Sequence, residues 1–269
     1  VEGFMQDMAL IKRKIKIPEK TLIALESPRN DNEEADMIRR IFNDVDNLVA
    51  SVRTRVEAMR MEALSTGKIQ INENGVKASI DYGMPAAHKA AKTWTSGTPT
   101  ILEDMDYMVD KIVGDTGFTP TRALTSKKVL NAILRDERIR AAIYGVNSAK
   151  MLTVTELNAF LAQQKLPQIA IYDKKYRVQD AKGGYAAKRF LPEDAFVMMP
   201  DGKMGDTFYG VTAEELELRR NPSVDVTAVG NIIVCQYNTE DPVAKWIKAV
   251  ATSLPSFPYA DQVFVATVA

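Results

Sequence analysis

The segment EEADMIRRIFNDVDNLVASVRTRVEAMRMEALSTG, residues 33–67, has the strongest hydrophobic pattern in the sequence. Its apolar residues recur at spacings of four and three, which is the period of one face of a helix. Acidic Glu33 and Glu34 suit the positive end of a helix dipole, and Gly67 suits a helix end. A helix of about 34 residues would be about 50 Å long. The stripe consists of Ile38, Phe42, Val45, Val49, Val52, Val56, Met59 and Ala63.

Such a stripe fits two structures. It spans only four heptads, so an ordinary helix lying across a sheet is favoured over a coiled coil that pairs with a partner helix.

A β-hairpin is predicted directly after this helix. Residues 68–71 and 76–82 have strand character, and Asn74-Gly75 between them supplies the positive φ angles of a tight turn.

A strand with a basic side is predicted before the helix. From Leu10 to Ile17 apolar residues and lysines alternate, with Lys12, Lys14 and Lys16 on one side, and Pro18 ends the pattern. The lysines could bind phosphate, but charged side chains also keep an exposed strand edge from unwanted pairing, and that reading is favoured.

The rest of the chain mixes short helices and strands, which predicts the α+β class. Residues 84–98 are polar and without periodicity, and the segment Pro242 to Leu254 is predicted as a last helix because proline follows two acidic residues. Further helices are predicted at 101–114, 126–144 and 153–164, and strands at 122–125, 168–172, 195–199, 231–237 and 262–268. Thr153 and Glu156 predict a capping box at the start of the helix at 153–164.

Composition argues against several classes of function. Lys plus Arg and Asp plus Glu number 35 each, so net charge does not drive the protein onto DNA or an anionic membrane. The longest uncharged runs are near fourteen residues, below the roughly 20 apolar residues of a membrane span. Cys235 is the only cysteine, which fits a reducing compartment.

No catalytic, cofactor or metal site is predicted. His88 is the only histidine, so a zinc site or a catalytic triad has too few residues, and a plain surface role is expected for it. Residues 205–212 have the outer glycines of a phosphate loop but Val211 where lysine belongs. The acidic pairs Asp104/Asp106 and Asp44/Asp46 fit helix-dipole stabilisation and solvation.

An ordered set of short motifs resembles the lambda-type E family of tailed-bacteriophage major capsid proteins. The set covers about residues 29–269. The motifs are Thr66-Gly67-Lys68-Ile69, Ile80-Asp81-Tyr82-Gly83, Pro85, His88, Trp94, Tyr172-Asp173, Tyr176, Gly183, Phe190-Leu191-Pro192, Gly205, Tyr209-Gly210, Thr212, Asp241-Pro242-Val243, Leu254-Pro255 and Ala260-Asp261-Gln262-Val263.

The resemblance implies the Hong Kong 97-type capsid fold and a division into four segments. Residues 1–28 would be the returning limb of an extended loop, and the family's N-terminal arm and outgoing limb do not precede it here. Residues 29–116 would form a peripheral domain with the long helix as its spine. Residues 117–228 would form an axial domain, and residues 229–269 would return to the peripheral domain.

The resemblance also implies a non-enzymatic function. The subunit would associate with itself into pentamers and hexamers. These would form an icosahedral shell around double-stranded DNA, without sequence-specific binding. Scaffolding, portal and decoration proteins would be further partners, with no membrane and no cofactor. Assembly would take place in the host cytoplasm and the product would be the virion capsid.

One interface is predicted in detail. The limb from Leu10 to Ile17 would extend about 26 Å across a neighbouring subunit, with Lys12, Lys14 and Lys16 near Glu57 and Glu62 of that neighbour's long helix. Two rival functions stay open at this point, a coiled-coil interaction protein and a hydrolase with an unrecognised site.

Overall fold

The computed structural model describes residues 8–28, 30–73, 75–146, 148–179 and 183–269. The elements in chain order are β1 (Ala9–Pro18), α1 (Glu19–Glu26), α2 (Asp31–Thr66), β2 (Lys68–Glu73), β3 (Val76–Asp81), β4 (Lys89–Lys92), α3 (Ile101–Thr116), β5 (Arg122–Thr125), α4 (Lys127–Arg135), α5 (Glu137–Tyr144), α6 (Val154–Gln163), β6 (Gln168–Ile171), β7 (Lys175–Gln179), β8 (Tyr185–Arg189), β9 (Ala195–Met199), β10 (Thr207–Gly210), α7 (Ala213–Glu217), β11 (Val224–Val229), β12 (Ile232–Thr239), β13 (Ala244–Pro255) and β14 (Phe264–Val268).

The chain divides into two units that each combine distant stretches of sequence. Unit 1 contains residues 1–59, 70–80 and 207–256, and unit 2 contains residues 60–69, 81–206 and 257–269. The four-segment division implied by the capsid resemblance assigns functional domains, and it stays a prediction.

The sheet of unit 1 is built around β13. Its strand order is β1-β13-β12-β11, and β10 also pairs with β13. All ten residues of β1 pair antiparallel with β13, from Ala9 opposite Ser253 to Pro18 opposite Ala244. The predicted strand at 10–17 is therefore confirmed, and its partner is a strand of the same chain.

The predicted helix from Pro242 to Leu254 is wrong, because this segment is β13. It has β1 on one side and β12 with β10 on the other, so hydrogen bonding to both neighbours satisfies its backbone. Ala249, Val250 and Ala251 at its centre are each fully buried. A strand covered on both faces loses the alternation that would have distinguished it from a helix.

The long helix is confirmed as α2, which is 36 residues long. The C-terminal half of its predicted stripe is buried, from Val49 through Val52, Val56 and Met59 to Ala63. The helix is followed by Gly67 with φ +75°, and a Cβ there would lie 2.6 Å from the Met84 side chain. The hairpin prediction is also confirmed, since β2 and β3 pair as a two-stranded sheet.

The sheet of unit 2 has five strands in the order β4-β14-β9-β5-β6. Strand β9 is buried along its whole length, and it pairs antiparallel with β14 and β5. The core of the unit joins this sheet to α3, α4, α5 and α6, with Phe196 and Phe264 among its largest fully buried side chains.

The segment 84–98 has more structure than its sequence indicates. It contains a short 3-10 turn at Ala86–His88 and strand β4, which pairs parallel with β14. Trp94 is buried, and its indole Nε1 donates a hydrogen bond of 2.8 Å to Asp104 Oδ2. Lys92 Nζ lies 2.7 Å from the other oxygen of the same carboxylate. Asp104 therefore anchors this segment, which is a more specific role than helix-dipole stabilisation.

The predicted helix at 126–144 is two helices that meet at Asp136. The Asp136 Oδ1 accepts a hydrogen bond of 2.8 Å from the Ile139 backbone N–H, so it caps α5. The capping box predicted for α6 is confirmed, with Thr153 and Glu156 bonded reciprocally. Strands β7, β8, β10 and β11, which are four to six residues long, were not predicted from the sequence.

Candidate assembly surfaces

The predicted basic side of β1 contacts residues of its own unit. Lys12 Nζ lies 2.9 Å from Glu214 Oε1, and Lys248 Nζ from β13 lies 2.9 Å from the same oxygen. The Glu214 side chain is only 5% exposed, whereas the Lys12 side chain is 33% exposed. Two ammonium groups thus neutralise one buried carboxylate.

The two lysines together determine the direction in which the pKa of Glu214 shifts. Burial acts to raise the pKa of the Glu214 carboxyl, but hydrogen bonds from Lys248 and Lys12 outweigh it and lower the pKa to about 2. Glu214 enters the cluster from the first turn of α7, whose N-cap Thr212 accepts a hydrogen bond from the Glu215 backbone N–H. Glu214 was not predicted as a partner of Lys12, because the two residues lie some two hundred positions apart in the sequence.

The other two predicted lysines lie over an aromatic ring. Lys14 Nζ is 4.5 Å from the centre of the Trp246 ring, and Lys16 Nζ is 5.9 Å from it. Both distances are within the range of a cation–π contact. Both lysines are also exposed, so this face of the sheet combines positive charge with an aromatic ring.

Glu57 and Glu62, the predicted partners, are half-buried on α2. Both take part in interactions inside the chain. The structure gives Lys12, Lys14 and Lys16 the neighbours Glu214 and Trp246 instead. A role for the five residues between two copies stays a prediction.

An apolar surface that was not predicted lies at the start of α2. The stripe that is buried from Val49 onward is exposed at Ile38, by 42%, and at Phe42, by 66%. Ile23 on α1 is 61% exposed. A groove of about 810 Å³ between α1 and α2 has a mixed lining, in which Met37 and Ile41 lie among charged residues such as Arg40. The long helix therefore buries one half of its stripe and exposes the other.

The surface role predicted for His88 is wrong. Its side chain is fully buried, its ring stacks on Phe264 at a centroid distance of 5.9 Å, and its Nε2 lies 3.1 Å from Asp115 Oδ2. Contacts with Lys111 and with His88 lower the pKa of the Asp115 carboxyl. The histidine joins the 3-10 turn to α3, a packing role that its polar sequence neighbourhood does not indicate.

Within the described ranges, no group of three or more His, Cys, Asp or Glu side chains is arranged to hold a metal ion. A search of the same ranges finds no helix with the length and apolar content of a membrane span.

Solved structures that share this fold include two phage-related proteins. A protein assigned to the capsid of an Escherichia coli prophage matches with a TM-score of 0.70 at 18% identity, over 97% of this chain and 77% of that one. A phage-related protein of Bordetella bronchiseptica matches with a TM-score of 0.53 at 11% identity, over 96% of this chain and 74% of that one. No curated protein matches the chain in sequence. The fold is that of Hong Kong 97-type capsid proteins, as the sequence resemblance implied.

This fold defines a class of shell-building proteins, and a family model gives the particular group. The model of phage major capsid protein E matches residues 6–268, so the chain belongs to that family. It is a structural capsid protein of a bacteriophage shell, and its family is not one of enzymes. The coiled-coil alternative is not supported, and most of the helix stripe it would need is buried inside the fold.

Proposed function

We propose that copies of this subunit associate into pentamers and hexamers, which close into an icosahedral shell around double-stranded DNA without reading its sequence. Equal numbers of acidic and basic residues fit a container better than a DNA-binding protein. Assembly takes place in the host cytoplasm, with scaffolding, portal and decoration proteins as further partners.

The same proposal assigns roles to the segments of the chain. Residues 29–116 and 229–269 form the peripheral domain, residues 117–228 form the axial domain near the centre of each ring, and residues 1–28 form a limb that contacts a neighbour. The motif order from Thr66-Gly67 to Ala260-Asp261-Gln262-Val263 supports this division.

The observation that carries the self-association is the exposed half of the α2 stripe. Single exposed apolar side chains are common, but a contiguous group is typical of an interface. Ile38 and Phe42 are one helical turn apart on the same face. The groove between α1 and α2 adds the apolar side chains of Met37 and Ile41 beside charged ones. Burying such side chains against another copy removes apolar area from water, which favours association.

The face of β1 contributes a polar part of the same contact. Lys14 and Lys16 are exposed beside Trp246, and we keep Glu57 and Glu62 of a neighbouring copy as their partners. Lys12 acts mainly inside the fold, because it neutralises Glu214. Exposed ion pairs contribute only about 0–1 kcal/mol each, but every subunit of a shell repeats them.

Substitution of one stripe residue tests this proposal. Phe42→Asp should leave the circular dichroism spectrum unchanged and prevent particle formation, as seen by sedimentation velocity and negative-stain microscopy. Asn43→Asp is the matched control, because it adds the same charge one position away and off the stripe. Normal particles from Phe42→Asp would contradict the proposed contact.

A further inference from the structure

The hairpin formed by β7 and β8 contributes no residue to the buried core of unit 2. Its two strands pair with each other and with no third strand of the described chain. Every residue of β8 before Arg189 is exposed, and Tyr185 is 60% exposed. Residues Tyr176 and Val178 of β7 are half-buried, whereas Lys175, Arg177 and Gln179 on its other side are exposed. An isolated two-stranded hairpin is marginally stable in water, so this exposed side indicates that another molecule covers it.

The base of the hairpin is held in place. Arg189 pairs with Asp173 and, at 2.6 Å, with Glu193. The ring of Tyr176 lies 4.6 Å from that of Phe190, and the Phe190 backbone N–H bonds to the Lys174 carbonyl. The base of the hairpin is therefore fixed, while Lys175, Arg177 and most of β8 remain exposed.

The hairpin is strongly basic. Residues 174–189 contain six Lys and Arg and one Asp, a difference of five positive charges in a chain whose total charge is zero. Lys175 and Arg177 are two positions apart, so they lie on the same face of β7. Both are exposed, and neither forms an ion pair in the described chain. Opposite Arg177 stands Ala187, whose small side chain allows close approach.

The complementary surface is on helix α3 of the same unit. Its buried face is formed by Ile101, Met105, Met108 and Ile112. Its outer face presents Asp106 and Asp110, which are exposed and form no ion pair within the described ranges. Tyr107 between them is 53% exposed. Burial and the neighbouring carboxylates of Asp110 and Glu103 raise the pKa of Asp106, as expected where negative charge lacks a counter-ion.

The distance between the two acidic residues on α3 is close to the distance between the two basic residues on β7. Asp106 and Asp110 are one helical turn apart, about 6 Å along the axis. Lys175 and Arg177 are two strand residues apart, about 6.7 Å. A strand laid along the helix would thus place one cation beside each carboxylate, and Tyr107 could contact the small side chains of β8.

We propose that the β7–β8 hairpin of one copy docks on the acidic outer face of α3 of a neighbouring copy, with Lys175 and Arg177 opposite Asp106 and Asp110. This inference rests on the proposed self-association and identifies one of its interfaces. The favoured occupant is a second copy rather than nucleic acid, because the chain itself carries the matching acidic surface.

Charge reversal of each side tests the docking. In the full chain, Lys175→Glu/Arg177→Glu and Asp106→Lys/Asp110→Lys should each lower the yield of sedimenting particles at least tenfold. Combining all four substitutions should restore at least half of the wild-type yield. Lys127→Glu/Lys165→Glu is the matched control, since it reverses two exposed lysines of the same unit and should leave the yield unchanged.

A second measurement does not depend on charge. The double variant Arg177→Cys/Asp110→Cys should form disulfide-linked ladders on mild oxidation, and each single variant should not. Cys235 is buried and is not expected to interfere.

The outcomes separate the two proposals. Wild-type protein that forms no particles overturns the proposed self-association and the docking with it. Wild-type particles with unaffected reversal variants and no ladder overturn the docking alone. Reversal variants that assemble normally but retain less DNA would also overturn it, by placing the hairpin against the nucleic acid.

Discussion

Two strand regions of this protein carry many basic residues, and the structure uses them differently. In β1, Lys12 neutralises the buried Glu214 and Lys14 lies over Trp246. In the β7–β8 hairpin, Lys175 and Arg177 are exposed and form no ion pair in the described chain. The first set stabilises the subunit, and the second is available to another molecule. Alternating charge in a sequence therefore does not separate a folding role from an assembly role.

Among substitutions in these two regions, we expect the largest effect on the free energy of unfolding at Glu214. Glu214→Gln leaves two lysines around a buried amide, and we expect the free energy of unfolding to fall by about 3 kcal/mol. This value is at the lower end for a broken buried ion pair, because the lysines keep some contact with water. Urea denaturation measures it. Glu215→Gln on the same helix removes a more exposed pair with Arg219 and should cost less than about 1 kcal/mol. Equal losses would contradict the assignment.

The lowered pKa of Glu214 predicts how the free energy of unfolding depends on pH. The folded pKa of Glu214 is lowered from 4.5 to about 2, so its stabilising contribution is complete above pH 4.5 and is lost as the pH falls towards 2. The difference in unfolding free energy between wild type and Glu214→Gln should shrink over this interval. A difference that stays constant from pH 6 to pH 2.5 would show that the ion cluster is not its source.

A smaller effect is expected where Lys14 meets Trp246. A double-mutant cycle with Lys14→Ala and Trp246→Leu should give a coupling of about 0.5 kcal/mol, typical of an exposed cation–π contact. Lys16 is farther from the ring, so the cycle with Lys16→Ala should give a smaller coupling. A larger coupling for Lys16 would contradict the observed geometry.

The smallest effect on stability is expected in the hairpin. Lys175→Glu/Arg177→Glu should change the free energy of unfolding by no more than about 0.5 kcal/mol, because both side chains are exposed and without an ion-pair partner in the described chain. Thermal denaturation at low protein concentration measures this without interference from assembly. A loss comparable to that of Glu214→Gln would mean that the hairpin charges also serve the fold.

Local patterns account for most elements that the sequence predicted correctly. The four-three spacing of α2, the alternation of β1, the Asn-Gly turn before β3 and the capping box of α6 each depend on residues within a few positions of one another. The order of the capsid motifs added the fold and the family. None of these signals depends on knowing which distant strand lies alongside.

Features that depend on distant partners were missed or predicted wrongly. The segment from Pro242 to Leu254 was predicted as a helix because proline follows two acidic residues, but the strands on either side of it decide its conformation. His88 looked exposed because its sequence neighbours are polar, yet Phe264 and Asp115 enclose it from later parts of the chain.

The sequence by itself determined the α+β class, the long helix, the basic strand and the membership of a capsid family. The tertiary structure alone decided which charges are used inside the subunit, because a lysine is neutralised only where folding places a carboxylate within hydrogen-bonding distance. Lys12 meets Glu214 from a remote helix, whereas Lys175 and Arg177 meet no carboxylate of the described chain. Coulomb attraction depends on distance in space and on exclusion of water, and neither is encoded in local spacing.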